Sequence, residues 1–238
     1  MSSGILNGER LSNKGYARPP IAIDGPAVSG KSSVGRSLAS HIGYRFLDTG
    51  LMYRAATWNA IKNGVNVNDP IAVAEACERM DFAVCDGEIG DNQIVVNGEN
   101  ITNHLHAPVV DDAVSSVASV GRVREIMVAE QRRLANGGAI VMVGRDIGTV
   151  VIPEAPLKIY LTATVRTRAN RRHRDFIAEG INIEFEDILR SMEQRDLIDS
   201  SRENSPLRPA DDARIVDTDE LTFGEVVNHL VELAKDIF

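Results

Sequence analysis

Short apolar runs alternate along the chain with longer segments in which apolar residues recur every three or four positions. Each run is short and apolar enough to be a buried strand, and five of them occur, at residues 21–23, 45–47, 139–143, 158–161 and 214–216. Helical patterns separate most of these runs. This alternation predicts an α/β fold, with a parallel sheet covered by helices on both faces.

The alternation is interrupted between residues 64 and 119. Asp69 followed by Pro70 predicts a helix start, because aspartate is a good N-cap and proline suits the first helical position. Residues 81–85 and 93–101 have the pattern of antiparallel strands, and Asn97-Gly98 is a hairpin signal within the second. The interruption is out of register with strand-helix-strand units and therefore predicts an inserted lobe.

Three regions follow from this pattern. We predict that residues 18–63 and 120–238 form a core domain and that residues 64–119 form the inserted lobe. Residues 1–17 are polar and contain no apolar periodicity, so the sequence predicts a flexible N-terminal extension.

A complete phosphate-binding pattern, G-x-x-x-x-G-K-[ST], follows the first apolar run directly. It comprises Gly25, Pro26, Ala27, Val28, Ser29, Gly30, Lys31, Ser32 and Ser33. Apolar residues at helical spacing come next, until Gly43 can end the helix. A loop between a strand and a helix N-terminus directs backbone N–H groups at one point, so we predict that it binds the triphosphate of ATP. Lys31 would contact the β and γ phosphates and Ser32 would ligate Mg²⁺; a glycine-rich turn without a ligand is the alternative.

A second polar constellation follows the second strand candidate, at residues 48–54. Its position predicts the carboxyl edge of the sheet, where ligands of such folds bind. Thr49, Tyr53 and Arg54 could face a phosphoryl acceptor there. The alternative is a helix N-terminus capped by Asp48 or Thr49, with Tyr53 in the core.

Arg145 and Asp146 follow the strand candidate at residues 139–143 and are therefore expected opposite the phosphate loop. The arginine can stabilise phosphoryl charge, and the aspartate can accept hydrogen bonds from a base or a sugar. An ordinary surface ion pair is the alternative.

Arginines are dense in the helix that follows residues 158–161. They are Arg166, Arg168, Arg171, Arg172 and Arg174. Like charges on one helix face repel each other unless they share an anion, so we predict a lid at about residues 164–182 that closes on the triphosphate. A solvated basic face is the alternative. Arg195 and Arg202 lie seven residues apart on a later helix, with Asp199 between them.

Composition narrows the function. The chain has 238 residues, 43% of them hydrophobic, and a net charge of −8, which argues against broad binding to nucleic acid or anionic membranes. The two cysteines form neither a disulfide framework nor a metal set, and no apolar stretch approaches the length of a membrane span. The pair His104 and His106 has no third ligand nearby. We therefore expect a cytoplasmic protein without a nucleic-acid or membrane partner. We also expect a monomer, although neither composition nor motifs determine the oligomeric state.

Several motifs together resemble the bacterial cytidylate kinase family, in a match that extends from about Ile21 to the C-terminus. In addition to the phosphate loop, these motifs are Leu47-Asp48-Thr49-Gly50 followed by Tyr53-Arg54, residues 122–125, residues 144–151, residues 194–202, and Pro206-Leu207 followed by Pro209-Ala210. The resemblance implies a three-layer P-loop kinase fold with a five-stranded parallel sheet, a helical lid and an inserted acceptor-binding lobe. It also implies transfer of the γ-phosphoryl group of ATP to CMP or dCMP with Mg²⁺, in pyrimidine nucleotide metabolism.

The same resemblance implies roles for individual residues. Ser115, Arg124 and Asp146 would contact the cytidine moiety. Arg195, Asp199 and Arg202 would contact sugar and phosphate. Arg145 would bridge the reacting phosphates together with the lid arginines Arg168 and Arg172, which makes these three and Lys31 the candidate catalytic residues.

The chemistry needs little from the protein beyond alignment. A monophosphate has a second pKa near 6, so at pH 7 its oxygen is already largely an anionic nucleophile and needs no general base. A P-loop kinase for another small acceptor, such as another nucleoside monophosphate or shikimate, remains an alternative. So does a nucleotide-binding regulator without turnover. A GTP-dependent switch is less compatible, because the sequence has no N-K-x-D motif.

Overall fold

The computed structural model describes residues 18–86 and 91–237. The predicted extension at residues 1–17 lies outside the described residues. The described strands are β1 Ile21–Asp24, β2 Arg45–Asp48, β3 Phe82–Asp86, β4 Asn92–Val96, β5 Glu99–Asn100, β6 Ile140–Gly144, β7 Leu157–Thr162 and β8 Arg214–Asp217. The described helices are α1 Lys31–Ile42, α2 Thr49–Lys62, α3 Pro70–Glu78, α4 Pro108–Ser119, α5 Gly121–Ala135, α6 Val165–Ala178, α7 Phe185–Ser201 and α8 Phe223–Ala234.

All five predicted strands pair in one parallel sheet, in the order β2-β6-β1-β7-β8. Asp24 at the end of β1 lies beside Gly144 at the end of β6, and Asp48 at the end of β2 lies beside Val143. The phosphate loop, residues 48–54 and residues 144–146 therefore leave the sheet at the same edge. The sequence prediction of an α/β fold with a five-stranded parallel sheet is confirmed.

Apolar side chains cover both faces of the sheet. On one face Ile21 and Ile23 pack in a cluster that includes Leu38 of α1 and Leu230 of α8. On the other face Ala22 packs in a second cluster, with residues of α2, α3, α4 and α5. Successive strand residues thus face opposite sides, as the period of a strand requires, and the molecule has three layers. Among the described residues no helix is both long and apolar enough to cross a membrane.

Helix ends form where the capping residues predict them. Gly43 ends α1 with φ 65°, a left-handed conformation that favours glycine, and its N–H caps carbonyl groups of the last turn. Asp69 caps α3, because its side chain accepts hydrogen bonds from the N–H groups of Ile71 and Ala72.

The segment between α2 and α5 contains a small antiparallel sheet, β3-β4-β5, between α3 and α4. Asn97 and Gly98 both have positive φ, at 50° and 80°, as the hairpin signal predicts. Ile94 and Leu105 pack here against Ala55 of α2. Other residues of the segment join the core cluster of the main sheet, so the segment packs closely on the rest of the chain. Its status as a separate lobe stays a prediction.

Candidate active site

The phosphate loop turns tightly between β1 and α1. Gly25 has φ 154°, and a Cβ atom there would lie 2.1 Å from the carbonyl oxygen of Leu161, so only glycine fits. Gly30 has φ 91° and is the N-cap of α1. Val28 has φ 58°, which is unfavourable for a β-branched residue. Strain of this kind is characteristic of ligand-binding loops.

Lys31 and Ser32 begin α1 beneath this loop. The buried Nζ of Lys31 donates a hydrogen bond to the carbonyl oxygen of Pro26 at 2.9 Å. Burial, and secondarily the nearby cation of Arg145, holds the pKa of Lys31 well below its usual range. An anionic ligand at this position would therefore stabilise the charged lysine. Ser33 is exposed, and its hydroxyl donates to the carbonyl oxygen of Gly30 at 2.9 Å.

A hydroxyl and a carboxylate meet beside the loop. The Oγ atom of Ser32 donates a hydrogen bond to Oδ2 of Asp48 at 2.5 Å. The other carboxylate oxygen of Asp48 accepts from the N–H of Gly50 at 2.9 Å and caps α2. Mg²⁺ prefers such hard oxygen ligands and retains several waters, so Ser32 and Asp48 fit this ion. The sequence analysis identified Asp48 only as a possible helix cap.

The three residues predicted to face the acceptor from α2 have different surroundings. The buried hydroxyl of Thr49 donates to the carbonyl oxygen of Val143 at 2.8 Å, and Tyr53 is buried in the core cluster. The structure therefore contains the capped helix and the buried tyrosine of the structural alternative. Arg54 is half-buried; it donates to the carbonyl oxygen of Leu105 at 2.9 Å and pairs with Asp111.

Asp146 and Arg124 form an ion pair whose side chains are only 4% and 5% exposed. The guanidinium of Arg124 also donates to the carbonyl oxygen of Ala118 at 3.2 Å and lies 5.2 Å from the ring centre of Tyr53. Its Nε–H has no hydrogen-bond partner among the described residues. The alternative of a surface ion pair between Arg145 and Asp146 is wrong, because Asp146 is buried and the two residues have different partners.

Asp24 supports the backbone that follows Asp146. Its two carboxylate oxygens accept hydrogen bonds from the N–H groups of Ile147 and Gly148, at 2.8 and 2.7 Å. Burial raises the pKa of Asp24 to about 6, although the two backbone hydrogen bonds favour the charged form. Asp24 is not among the predicted site residues; its only signal in the sequence is an acidic side chain at the end of an apolar strand.

A second buried cluster forms where α7 reaches the sheet edge. Arg145 donates to Asp199 at 2.9 Å, and a nitrogen of Arg202 lies 3.7 Å from the other carboxylate oxygen. Burial opposes the charge of Asp199, but the guanidinium groups of Arg145, Arg195 and Arg202 together outweigh it and hold the pKa of Asp199 below its usual value. Burial, followed by the cations of Arg145 and Arg54, lowers the pKa of Arg195 to about 10.

The arginines of the predicted lid contact groups of the protein itself. Arg168 is buried; it donates to the carbonyl oxygen of Ala27 in the phosphate loop at 3.2 Å and pairs with Asp196 at 2.6 Å. Arg172 pairs with Asp111 of α4 at 3.0 Å. Arg171 instead binds Thr218. Carboxylates of the protein itself thus pair with Arg168 and Arg172, and the binding of a triphosphate by these arginines stays a prediction.

The remaining predicted residue, Ser115, is half-buried on α4, one turn after Asp111. Among the described residues, no group of three or more His, Cys, Asp or Glu side chains has the arrangement of a metal site. The site as a whole is therefore a phosphate loop bordered by several buried or half-buried arginines. Such an arrangement can neutralise closely spaced phosphate groups.

Comparisons with known proteins agree on one family. A family model described as "Cytidylate kinase" matches residues 21–236. The cytidylate kinase of Rhodococcus opacus (strain B4) is 46% identical over 217 residues, which are 91% of this chain and 94% of the relative. The cytidylate kinase of Streptococcus uberis is 44% identical over 217 residues, 91% of this chain and 96% of the relative.

A likeness to a solved structure concerns the fold alone. An uncharacterised protein from Eubacterium ventriosum has a TM-score of 0.50 and 13% sequence identity to this chain. The alignment covers 92% of this chain and 99% of that one.

Proposed function

The chain belongs to the cytidylate kinase family, and from that premise we propose that it transfers the γ-phosphoryl group of ATP to CMP or dCMP, giving ADP and CDP or dCDP. One structural observation supports the proposal independently of the family comparison. The phosphate loop, the buried pair of Arg124 and Asp146, and the cluster around Asp199 border one edge of the sheet. A phosphoryl donor and an anionic acceptor can meet there.

The donor end is the phosphate loop. The N-terminus of α1 supplies backbone N–H groups, and Lys31 supplies a charge for the β and γ phosphates. The ammonium group of Lys31 donates a hydrogen bond to the carbonyl oxygen of Pro26, and burial lowers its pKa. A bound triphosphate would therefore supply the negative charge that stabilises the protonated lysine. Arg168 joins the lid to this loop through Ala27, which supports a role in holding the lid over the donor.

The phosphates of donor and acceptor would meet beside Arg145 and Arg195. Burial first, and then the neighbouring cations of Arg145 and Arg54, lower the pKa of Arg195. Its Nε–H is buried and has no hydrogen-bond partner among the described residues. A phosphate oxygen would satisfy this donor and relieve the repulsion between the arginines. In the transfer itself an oxygen of the acceptor phosphate forms a bond to the γ phosphorus while the bond to the ADP oxygen breaks.

The acceptor base would contact Asp146 and Arg124. Cytosine presents an amino donor beside the N3 acceptor, whereas uracil presents a carbonyl acceptor beside an N–H donor. Asp146 can accept from the amino group, and the free Nε–H of Arg124 can donate to N3 or O2. Ser115, Thr49 and Tyr53 complete the proposed acceptor side of the site.

Mg²⁺ would be held by Ser32 and Asp48, whose oxygens already meet at 2.5 Å. When bound, this ion neutralises charge on the β and γ phosphates. We also propose that the protein acts as a monomer in pyrimidine nucleotide metabolism and that it is cytoplasmic; two cysteines without a disulfide framework suit a reducing compartment.

The test is a coupled assay of ADP release with CMP, dCMP, UMP, AMP and GMP as acceptors. The proposal predicts steady ADP production with CMP or dCMP, with kcat/KM at least about a hundredfold higher than for UMP, since mismatched buried polar groups give large discrimination. Equal rates with all five acceptors, or ADP release independent of acceptor, would contradict it.

A further inference from the structure

Asp111 of α4 connects two arginines that belong to different elements. Its Oδ1 atom is 2.5 Å from a terminal nitrogen of Arg54 on α2. Its Oδ2 atom is 3.0 Å from a terminal nitrogen of Arg172 on the lid helix α6. The sequence analysis did not single out Asp111, yet both of its partners are among the predicted substrate-binding or catalytic residues.

These contacts are sheltered from water. The side chains of Arg54, Asp111 and Arg172 are 12%, 19% and 29% exposed. Arg54 is held further by the carbonyl oxygen of Leu105, and the guanidinium of Arg172 lies 4.4 Å from the ring centre of Phe176. Both arginines are therefore oriented toward the carboxylate in a setting where ion pairs are screened less than on an open surface.

The arrangement resembles the way arginines bind a phosphate. Each carboxylate oxygen of Asp111 accepts a hydrogen bond from one guanidinium group, as two oxygens of a phosphate monoester would. Beyond the effect of burial, Arg54 lowers the pKa of Arg195 and Asp111 raises it, so the three charged groups lie close enough to interact electrostatically. Arg195 retains a buried Nε–H that has no hydrogen-bond partner in the part of the chain that the structure describes.

We propose that Asp111 is a specificity-determining residue of the acceptor site, an internal counter-ion that competes with the acceptor's phosphate for Arg54 and Arg172. Binding of the phosphate exchanges contacts without breaking covalent bonds: phosphate oxygens take the two guanidinium groups, and the partly exposed carboxylate turns to solvent. The site then favours a dianionic phosphate over weaker anions, because only a strong partner displaces Asp111. This inference rests on the proposed function, which brings a phosphate to these arginines.

The exchange also concerns the lid. Arg172 joins the lid helix α6 to α4 through Asp111. Transfer of Arg172 from the carboxylate to the acceptor's phosphate makes the position of the lid depend on the ligand. Displacement of Asp111 thereby couples acceptor binding to lid closure.

The test compares Asp111→Asn with Asp112→Asn. Asp112 is the next residue on α4, is exposed, and forms no ion pair among the described residues. Both changes remove one negative charge, so long-range electrostatics is matched and only the contact differs. Binding of inorganic phosphate and of CMP to the ligand-free enzyme is measured by calorimetry, and kcat and KM for CMP by ADP release.

We expect Asp111→Asn to bind phosphate and CMP about three- to tenfold more tightly than Asp112→Asn, the change expected when one charge-assisted competitor is removed. Asp111→Glu keeps the charge and should bind as weakly as the wild type, which provides a second measurement should the asparagine variant fail to fold. Equal affinities in the two asparagine variants, or weaker binding in Asp111→Asn, would overturn the inference; weaker binding would make Asp111 a residue that aims Arg54.

Failure of this inference is distinguishable from failure of the proposed function. A wild-type enzyme that does not phosphorylate CMP contradicts the proposed function. The phosphate-binding comparison does not require turnover and still reports whether Asp111 competes for the arginines.

Discussion

Replacement of Asp146 by alanine should destabilise the protein strongly. The carboxylate and its partner Arg124 are both almost completely buried. Alanine would leave the arginine charge inside the protein without its counter-ion, with the Ala118 carbonyl as its remaining hydrogen-bond acceptor. An unpaired buried charge is costly because the low-dielectric interior cannot solvate it.

The expected size follows from the burial of the pair. Removal of one partner of a buried ion pair costs about 3 to 5 kcal/mol. In a protein of this size 1 kcal/mol corresponds to roughly 2 to 4 °C in Tm. Asp146→Ala should therefore lower Tm by about 6 to 20 °C.

Calorimetric melting of three variants separates this effect from simple charge removal. Glu232→Ala removes one carboxylate from an exposed pair with Lys235, and such pairs contribute little, so its Tm should stay close to that of the wild type. The double variant Arg124→Met with Asp146→Ala removes both charges and should be more stable than Asp146→Ala alone. A Tm drop under about 3 °C in Asp146→Ala, or a double variant less stable than the single one, would refute the reasoning.

The same variant tests base recognition at a temperature where it remains folded. If Asp146 accepts a hydrogen bond from the cytosine amino group, Asp146→Ala should reduce the ratio of kcat/KM for CMP to that for UMP, as well as kcat/KM for CMP itself. An unchanged ratio would limit Asp146 to a structural role.

Three further predictions concern the elements around the phosphate loop. Lys31→Ala should lower kcat to less than a tenth of the wild-type value, a loss of at least about 1.4 kcal/mol of transition-state stabilisation, because it removes the charge beneath the loop; higher residual turnover would contradict the role. Gly25→Ala should abolish ATP binding measured by calorimetry, because the new Cβ atom would lie 2.1 Å from the carbonyl oxygen of Leu161. The control is Gly224→Ala, whose Cβ atom meets nothing within 4 Å. Normal ATP affinity of Gly25→Ala would contradict the predicted clash. Burial raises the pKa of Asp24 from 3.8 to about 6. Between these two pH values Asp24 therefore binds a proton more readily in the folded chain than in the unfolded chain. We therefore expect the unfolding free energy of the wild type, measured by chemical denaturation relative to Asp24→Asn, to fall as the pH rises from about 4 to about 6. A difference between the two proteins that does not change with pH would contradict this prediction.

The elements that sequence reasoning predicted correctly depend on local patterns. The five strands of the main sheet are short apolar runs. The central strands β1, β6 and β7 are buried on both faces, as that composition predicts, whereas the edge strand β8 leaves Ile215 exposed. Gly25, Gly30 and Gly43 have positive φ, a backbone conformation that few other residues adopt. Asp69 caps α3 because its side chain accepts hydrogen bonds from the first turn of the helix. Such features need no knowledge of distant partners.

The side-chain pairings of the site depend instead on tertiary structure. Arg145 and Asp146 are adjacent in sequence, yet one pairs with Asp199 of α7 and the other with Arg124 of α5. Asp111 was missed because an acidic residue on a helix carries no local signal of an arginine on the lid. Arginine density singles out α6 in the sequence but does not show which carboxylate each arginine contacts.

Phosphorus NMR of the purified enzyme with ATP, CMP and Mg²⁺ shows whether the phosphoryl group reaches CMP, because it resolves the phosphorus atoms of substrates and products. We predict that CDP and ADP signals grow at equal rates while inorganic phosphate stays absent, and that in Lys31→Ala both signals grow at less than about a tenth of the wild-type rate. Loss of ATP with growth of inorganic phosphate, or no CDP signal in the presence of CMP, would contradict it.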